Sequence, residues 1–145
     1  MIFPTLRFLA AVGIAISMSA CASNRLETVW IRASPEVAAA SVRVDIAGSS
    51  PTLETIGVRD YWQPGNPVRA SANASQVRFG SGAPVMQSVT VGNIRAPQVV
   101  VIADLPGPHS DGELRVTIPS EGKGVPKEVG VEISSGGVHV TMPAR

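Results

Sequence analysis

Residues 129–142, VGVEISSGGVHVTM, alternate apolar and polar side chains on both sides of a Ser-Ser-Gly-Gly centre. Adjacent glycines supply the positive φ angles that a tight hairpin turn needs. Centring the turn there sets three apolar pairs on one face: Ile133 with Val138, Val131 with Val140, and Val129 with Met142. On the other face Glu132 falls opposite His139. A slip of one residue would set apolar against polar side chains throughout, so the pattern predicts an antiparallel hairpin with this register.

Other apolar patterns along the chain predict further strands. Val42, Val44 and Ile46 alternate with polar residues, which is typical of a strand with one buried face. Residues 99–103, VVVIA, are apolar without a break, and such a run indicates a strand covered on both faces. Weaker strand patterns occur at residues 28–32, at residues 53–61, around Val77 and Phe79, around Val85, Val89 and Val91, and at Leu114, Val116 and Ile118. Residues 34–40 are Ala-rich after Pro35 and predict one helical turn.

These strand patterns recur at intervals of about ten residues, separated by turn-forming segments. The chain has 145 residues with 14 Gly and 12 Pro, and it contains no long helical pattern. It therefore predicts one all-β domain. The expected fold is an antiparallel β-sandwich of about eight short strands, with immunoglobulin-like or transthyretin-like character.

Charge and motif content argue against several classes of function. The 12 Lys+Arg residues nearly balance the 11 Asp+Glu residues, whereas a nucleic-acid partner normally requires a basic face. Cys21 is the only cysteine, so the chain can form no internal disulfide and no multi-cysteine metal site. No HExxH, GxSxG, P-loop or CxxC pattern is present. We expect a protein that is not an enzyme and holds no cofactor and no metal.

The first residues have the organisation of an export signal. Arg7 precedes an apolar run over residues 8–18, and the small residues Ser19 and Ala20 lead to Cys21. The apolar run is about half of the roughly 20 residues that a membrane-spanning helix needs. We therefore interpret residues 1–20 as a removable signal peptide.

The end of this segment, Met18-Ser19-Ala20-Cys21, resembles the lipobox of bacterial lipoproteins. The resemblance implies that Cys21 is acylated, with palmitate among its acyl chains, and becomes the first residue of the mature chain. Several acyl chains suffice for stable membrane anchoring. The alternative is that Ala20-Cys21-Ala22 is an Ala-x-Ala site for ordinary signal peptidase, which would discard the cysteine and release the protein.

The lipobox resemblance also predicts the domain organisation. The signal peptide is residues 1–20, the lipidated N-terminus and tether are residues 21–27, and the sandwich domain is residues 28–145. Six tether residues after the cysteine reach at most roughly 20 Å. Ala22 stands where inner-membrane lipoproteins have Asp, so in a Gram-negative host the resemblance implies an anchor in the outer membrane, on its periplasmic face.

Two aromatic residues stand beside a proline-stiffened turn. Tyr61 is the only tyrosine and Trp62 one of two tryptophans, and Pro64 follows shortly after them. Aromatic side chains next to a rigid loop are typical of protein-binding surfaces, which makes Tyr61, Trp62 and Pro64 the partner-binding candidates. The alternative is that Tyr61 and Trp62 plug one end of the sandwich.

A second loop carries residues that bind metals in other proteins. Asp104, His109 and Asp111 lie within eight residues of one another, and carboxylate and imidazole groups are ligands of divalent cations. A metal site also needs supporting hydrogen bonds around its ligands, so we favour the interpretation that these are solvated loop residues. We expect His139 to contact Glu132 across the hairpin.

Location and architecture together favour a non-catalytic docking or assembly component of a membrane or secretion complex. In signal, size and predicted class the chain resembles the small lipoprotein of type VI secretion systems, a lipid-anchored β-sandwich that recruits an inner-membrane partner through its loops. Val58-Arg59-Asp60-Tyr61 resembles the Val-Arg-x-Tyr strand of that family. The alternative is a periplasmic ligand-binding module that uses loops around Trp62 or His109, and a hydrolase ranks last.

Overall fold

The computed structural model describes residues 24–141, so Cys21, Met142 and the predicted lipobox lie outside the described residues. The strands in chain order are β1 (Thr28–Ala33), β2 (Val42–Gly48), β3 (Ser75–Phe79), β4 (Met86–Thr90), β5 (Gln98–Asp104), β6 (Arg115–Pro119), β7 (Glu128–Ser134) and β8 (Gly137–Thr141). The helices are short: α1 (Pro35–Ala39), α2 (Pro51–Thr55), α3 (Val58–Tyr61), α4 (Pro67–Ser71) and α5 (Asp111–Leu114). Within residues 24–141 no helix is long and apolar enough to cross a membrane.

The strands form two four-stranded sheets, which confirms the predicted all-β sandwich. One sheet has the strand order β4-β1-β7-β8 and the other β3-β2-β5-β6. One pair departs from the expected antiparallel arrangement, because β1 and β7 run parallel from Thr28 opposite Glu128 to Ala33 opposite Ile133. A parallel pair needs a long connection, and here the whole second sheet lies between β1 and β7 in sequence.

The hairpin of β7 and β8 has the predicted register. Three predicted pairs are present: Val131 with Val140, Glu132 with His139, and Ile133 with Val138. Gly137 has a φ of 123° and packs against the backbone carbonyl of Glu113, a position where a Cβ atom would collide with that oxygen. The turn therefore requires glycine for both its conformation and its packing.

The apolar face of this hairpin should lie in the core, but the structure leaves Val140 outside it. Its side chain is 51% exposed, although Val131 and Val138 are only 1% and 3% exposed. β8 is an edge strand, so a side chain near its end lacks neighbours on one flank. The hairpin register is correct, but burial declines toward the end of its second strand.

Strand β5 is covered on both faces, as its unbroken apolar run predicts. Residues 99–103 are at most 1% exposed. The inner face packs in the sandwich core, and the outer face lies beneath residues 51–72, whose Leu53, Val58 and Tyr61 belong to the same hydrophobic cluster. The neighbouring strand β2 has the same double cover, because Val44 and Asp45 are both buried.

Residues 51–72, which we call the helical layer, contradict the strand predicted at residues 53–61. Instead of a strand, α2 and α3 occupy this segment. The Ser50 side chain accepts a hydrogen bond from the N–H of Leu53 at 3.1 Å, and Pro51 occupies the first turn of the helix. A capping residue followed by proline starts a helix because the cap satisfies a free N–H and proline lacks one.

The same device starts two other helices. In α1, Ser34 precedes Pro35, and this helix confirms the helical turn predicted for residues 34–40. In α4, Asn66 precedes Pro67, and the Asn66 side chain accepts hydrogen bonds from two backbone N–H groups. The Val58-Arg59-Asp60-Tyr61 segment is therefore a helix here, and the strand expected from its resemblance to Val-Arg-x-Tyr is wrong.

Packing begins before the first strand. Leu26 is fully buried, and its N–H donates to the carbonyl of Ser120 at 2.8 Å. Arg25 forms an isolated β-bridge with Glu121. The loop between β6 and β7, which contains Ser120 and Glu121, therefore lies at the same end of the sandwich as the start of β1.

Candidate functional site

A buried carboxylate joins the helical layer to the sheet beneath it. Asp45 projects from the outer face of β2 and is only 2% exposed. It accepts hydrogen bonds from Tyr61 Oη at 2.6 Å, Arg69 Nε at 2.9 Å and Gln76 Nε2 at 3.2 Å. A buried carboxylate is tolerated only when it is paired and hydrogen-bonded, and these three donors meet that requirement.

The electrostatics of this cluster favour one protonation state. Burial and the hydrogen bond to Asp45 raise the pKa of Tyr61 well above its ordinary value. The hydrogen bond to Asp45 also raises the pKa of Arg69. The phenol therefore stays neutral and the guanidinium stays charged, which suits a structural cluster rather than a proton-transfer site.

Trp62 lies between two arginines and the neighbouring tyrosine. The guanidinium carbons of Arg43 and Arg69 each lie 4.7 Å from the indole centroid, within the range of a cation–π contact. The Tyr61 ring meets the indole edge-on, with centroids 5.2 Å apart. Trp62 Nε1 is buried and has no hydrogen-bond partner among residues 24–141. The indole is thus fixed in place with one donor unused.

A groove opens beside this indole, and we call it the Trp62 groove. It holds about 320 Å³ and is lined chiefly by Arg43, Arg59, Trp62, Pro64 and residues 104–107. Asp104 pairs with Arg43 at 2.6 Å, and Arg59 Nη2 donates to the carbonyl of Gly107 at 3.2 Å. Arg59 is exposed and has no acidic partner within salt-bridge distance in the described part of the chain. The groove can therefore receive a carboxylate from another molecule.

The three residues considered for a metal site are held apart by other partners. Asp104 binds Arg43, Asp111 Oδ1 accepts a hydrogen bond from the N–H of Val58 at 3.0 Å, and His109 Nδ1 lies 3.1 Å from Glu113. No group of three or more potential metal ligands is found within residues 24–141. Asp111 instead fastens the start of α3 to the start of α5.

The partner-binding candidates occupy different depths of this site. Tyr61 is fully buried and Trp62 is 8% exposed, whereas Pro64 is exposed at the rim of the groove. The two aromatic side chains do not plug an end of the sandwich, since they belong to the helical layer and pack on the outer face of one sheet. Arg43 and Arg69 at the indole and Arg59 in the groove complete the arrangement, and nothing in their sequence spacing indicates that they come together.

Comparison with known proteins finds a likeness of fold to solved structures. No protein-family model matches the sequence, and no curated protein matches it. Among solved structures, Serratia marcescens Lip, a membrane-bound component of the type VI secretion system, aligns with a TM-score of 0.60 at 12% identity, over 83% of this chain and 99% of that one.

Two further structures show the same likeness. A chain from a structure described as a type VI membrane complex aligns with a TM-score of 0.59 at 16% identity, over 81% of this chain and 99% of that one. The type VI lipoprotein TssJ1 from Pseudomonas aeruginosa aligns with a TM-score of 0.56 at 11% identity, over 84% of this chain and all (100%) of that one. The chain therefore shares its fold with membrane-associated components of type VI secretion systems, a lipoprotein among them.

Proposed function

We propose that this chain is a lipid-anchored envelope protein that docks a protein partner within a type VI secretion complex. The observation that carries the proposal is the alignment of nearly the whole length of secretion-system lipoproteins with residues of this chain. The protein acts by binding, without catalysis, and its anchor lies in the outer membrane on the periplasmic face.

The anchor is an acyl-modified Cys21. Met18-Ser19-Ala20-Cys21 supports it, and the early packing of Leu26 holds the domain close to that cysteine. Labelling cells with radioactive palmitate tests the anchor directly. We expect label in the wild-type protein and none in Cys21→Ser. Equal label in both would mean that the acyl group is not on Cys21, and no label in either would favour cleavage by ordinary signal peptidase or retention of the signal.

The docking surface is the Trp62 groove, in which some residues contact the partner and others hold the loop in place. Pro64 and Arg59 are exposed and contact the partner, while Tyr61 and Trp62 hold the loop that carries them. A rigid loop loses little conformational entropy on binding, which favours affinity. The exposed guanidinium of Arg59 selects an acidic group on the partner, an inner-membrane component of the same complex.

A photo-crosslinking amino acid at position 64 tests this surface in cells that carry the secretion system. We expect one crosslinked product with an envelope protein, and we expect Arg59→Glu to reduce it at least tenfold, because a like charge replaces the pairing cation. A crosslinker at Met86, on the opposite sheet, serves as the matched control. A product from position 86 alone would show that docking uses the other face.

A second candidate function, a periplasmic ligand-binding module, rests on the unused donor of Trp62. The groove has the volume of a small ligand site, at the lower end of the usual range. A ligand that binds the folded state raises the melting temperature by mass action. Thermal shifts with small carboxylates test this candidate, and a shift that persists in Trp62→Phe would show that the indole N–H does not take part.

A further inference from the structure

The chain enters the sandwich between two loops, and one arginine fastens it there. Arg25 Nη1 donates to the carbonyl of Ile94 at 3.0 Å, and Nη2 lies 3.0 Å from Glu121 Oε2. The N–H of Gly122 donates to the carbonyl of Asn24 at 3.0 Å. Asn24 is therefore held beside the loops of residues 91–97 and 120–127, at the end of the sandwich where β1 begins.

This attachment makes the tether shorter than the six residues expected from the sequence. Only three residue steps separate Cys21 from Asn24, and an extended chain covers them in ~10 Å. The Debye length at physiological ionic strength is about 8 Å. If Cys21 carries the lipid, charged groups beside Asn24 lie within electrostatic range of the bilayer surface.

Two exposed basic residues lie in the loops beside Asn24 and have no acidic partner within salt-bridge distance in residues 24–141. Lys123 is exposed at the tip of its loop, between Gly122 and Gly124, which have φ angles of 117° and 84°. Arg95 is exposed next to Ile94 in the other loop. The acidic group of the same tip, Glu121, is already paired with Arg25.

Three further exposed charged residues adjoin the strands at this end: Glu27, Lys127 and Glu128. The N–H of Glu27 donates to the carbonyl of Lys127 at 2.8 Å, and Glu128 pairs in register with Thr28 in the sheet. Arg95 and Lys123 lie within the loops themselves. With Arg25 paired to Glu121, these exposed residues comprise three bases and two acids, so the surface around Asn24 carries a small excess of positive charge.

We propose that this end of the domain is a membrane-contact surface, on which Arg95 and Lys123 bind the anionic headgroups of the bilayer that holds the lipid. The inference rests on the proposed acylation of Cys21. The proposal also orients the molecule. Strand β5 begins at Gln98, beside the membrane-contact loops, and ends at Asp104, which lines the Trp62 groove at the opposite end of the sandwich. The groove is thus presented away from the bilayer.

Lysine modification allows a direct test, because the chain has only two lysines, Lys123 and Lys127, and each can be followed separately. The full lipoprotein, purified from envelopes, is reconstituted into vesicles of phosphatidylcholine alone or with added phosphatidylglycerol. Mass spectrometry then follows the modification of each lysine by an amine-reactive reagent. We expect modification of Lys123 to be about fivefold slower on the anionic vesicles, the effect of one cation near such a surface. Lys127 should slow less.

The matched variants are Arg95→Gln and Arg78→Gln, which remove one exposed positive charge each. Arg95→Gln should weaken the slowing of Lys123, whereas Arg78→Gln should leave it unchanged because Arg78 lies in the register of Arg43 and Asp104 at the opposite end. Equal Lys123 rates on the two vesicle types, in acylated protein that floats with vesicles, would overturn the contact surface and leave the anchor intact. Protein without an acyl group, which does not float, would overturn both proposals.

Discussion

The outer faces of the two sheets differ in cover. On the β4-β1-β7-β8 sheet the outer face is open to solvent, and Trp30 is 38% exposed between the inward-facing Val29 and Ile31. On the β3-β2-β5-β6 sheet the helical layer covers the outer face. Asp45, which faces outward between the inward-facing Val44 and Ile46, is therefore only 2% exposed. An outward-facing residue is thus exposed in one sheet and buried in the other.

The difference shows how many faces of each sheet must be buried. The open sheet needs one apolar face, so its burial follows a period of two residues. The covered sheet needs two buried faces, and it meets the second with an ionic cluster around Asp45 and Tyr61 rather than with apolar side chains alone. The candidate docking groove lies on this covered side, where the helical layer positions Trp62 and Arg59.

The largest effect is expected from a charge placed on the inner face of the open sheet. Val131→Asp buries an unpaired carboxylate at a position that is 1% exposed, and it should remove most of the roughly 5–15 kcal/mol that stabilises a domain of this kind. Thermal unfolding followed by circular dichroism should lose its cooperative transition. Glu132→Lys, one residue away on the open face, should melt like the wild type. Similar curves for the two variants would contradict the register.

The sequence predicted this sheet well for physical reasons. Strict alternation in β7 and β8, joined by a two-residue turn of Ser135 and Gly136, fixes both register and face. It could not predict the exposure of Val140 or the parallel pairing of β1, because strand alternation is the same for a central and an edge strand and carries no information on which distant strand is adjacent.

A smaller effect is expected from removing the buried charge of the covered sheet. Asp45→Ala leaves the Tyr61 hydroxyl and the Arg69 guanidinium without their acceptor, which should cost about 3 kcal/mol, since Arg69 is partly open to water. The matched change on the open sheet, Glu132→Ala, should cost less than about 0.5 kcal/mol. Urea unfolding measures both, and equal costs would show that the helical layer does not isolate Asp45 from solvent.

The covered side was the harder part to predict. Residues 53–61 contain apolar side chains at intervals compatible with a strand, and the Ser-Pro pair at residues 50–51 is the local signal that a helix starts there instead. The meeting of Arg43, Arg69 and Trp62 depends on how the helical layer packs on the sheet, a tertiary property. Tyr61 and Trp62 were identified as notable, but their depth was not predictable.

The covered cluster should also respond to alkaline pH. Burial and the bond to Asp45 raise the pKa of Tyr61 above its unfolded value of about 10, so the folded state holds the phenol proton more tightly. That stabilisation is complete below pH ~10 and declines as the pH rises above it. Because Tyr61 is the only tyrosine, phenolate absorbance reports it alone. Ionisation with an ordinary midpoint in the folded protein would contradict the contact.

The smallest effect is expected at the tryptophan of the open sheet. Trp30 pairs with Ser88 on one neighbouring strand and with Gly130 on the other, so small side chains flank it and it packs against little. Trp30→Ser should therefore lower the free energy of unfolding by no more than about 1 kcal/mol, whereas Trp62→Ser, beneath two arginines, should cost about 3 kcal/mol or more. Urea unfolding of the two variants compares the outer faces of the two sheets, because the substitution, tryptophan to serine, is the same in both. A cost for Trp30→Ser that matched the cost for Trp62→Ser would mean that the open face is covered in solution, and the contrast between the two sheets would then be wrong.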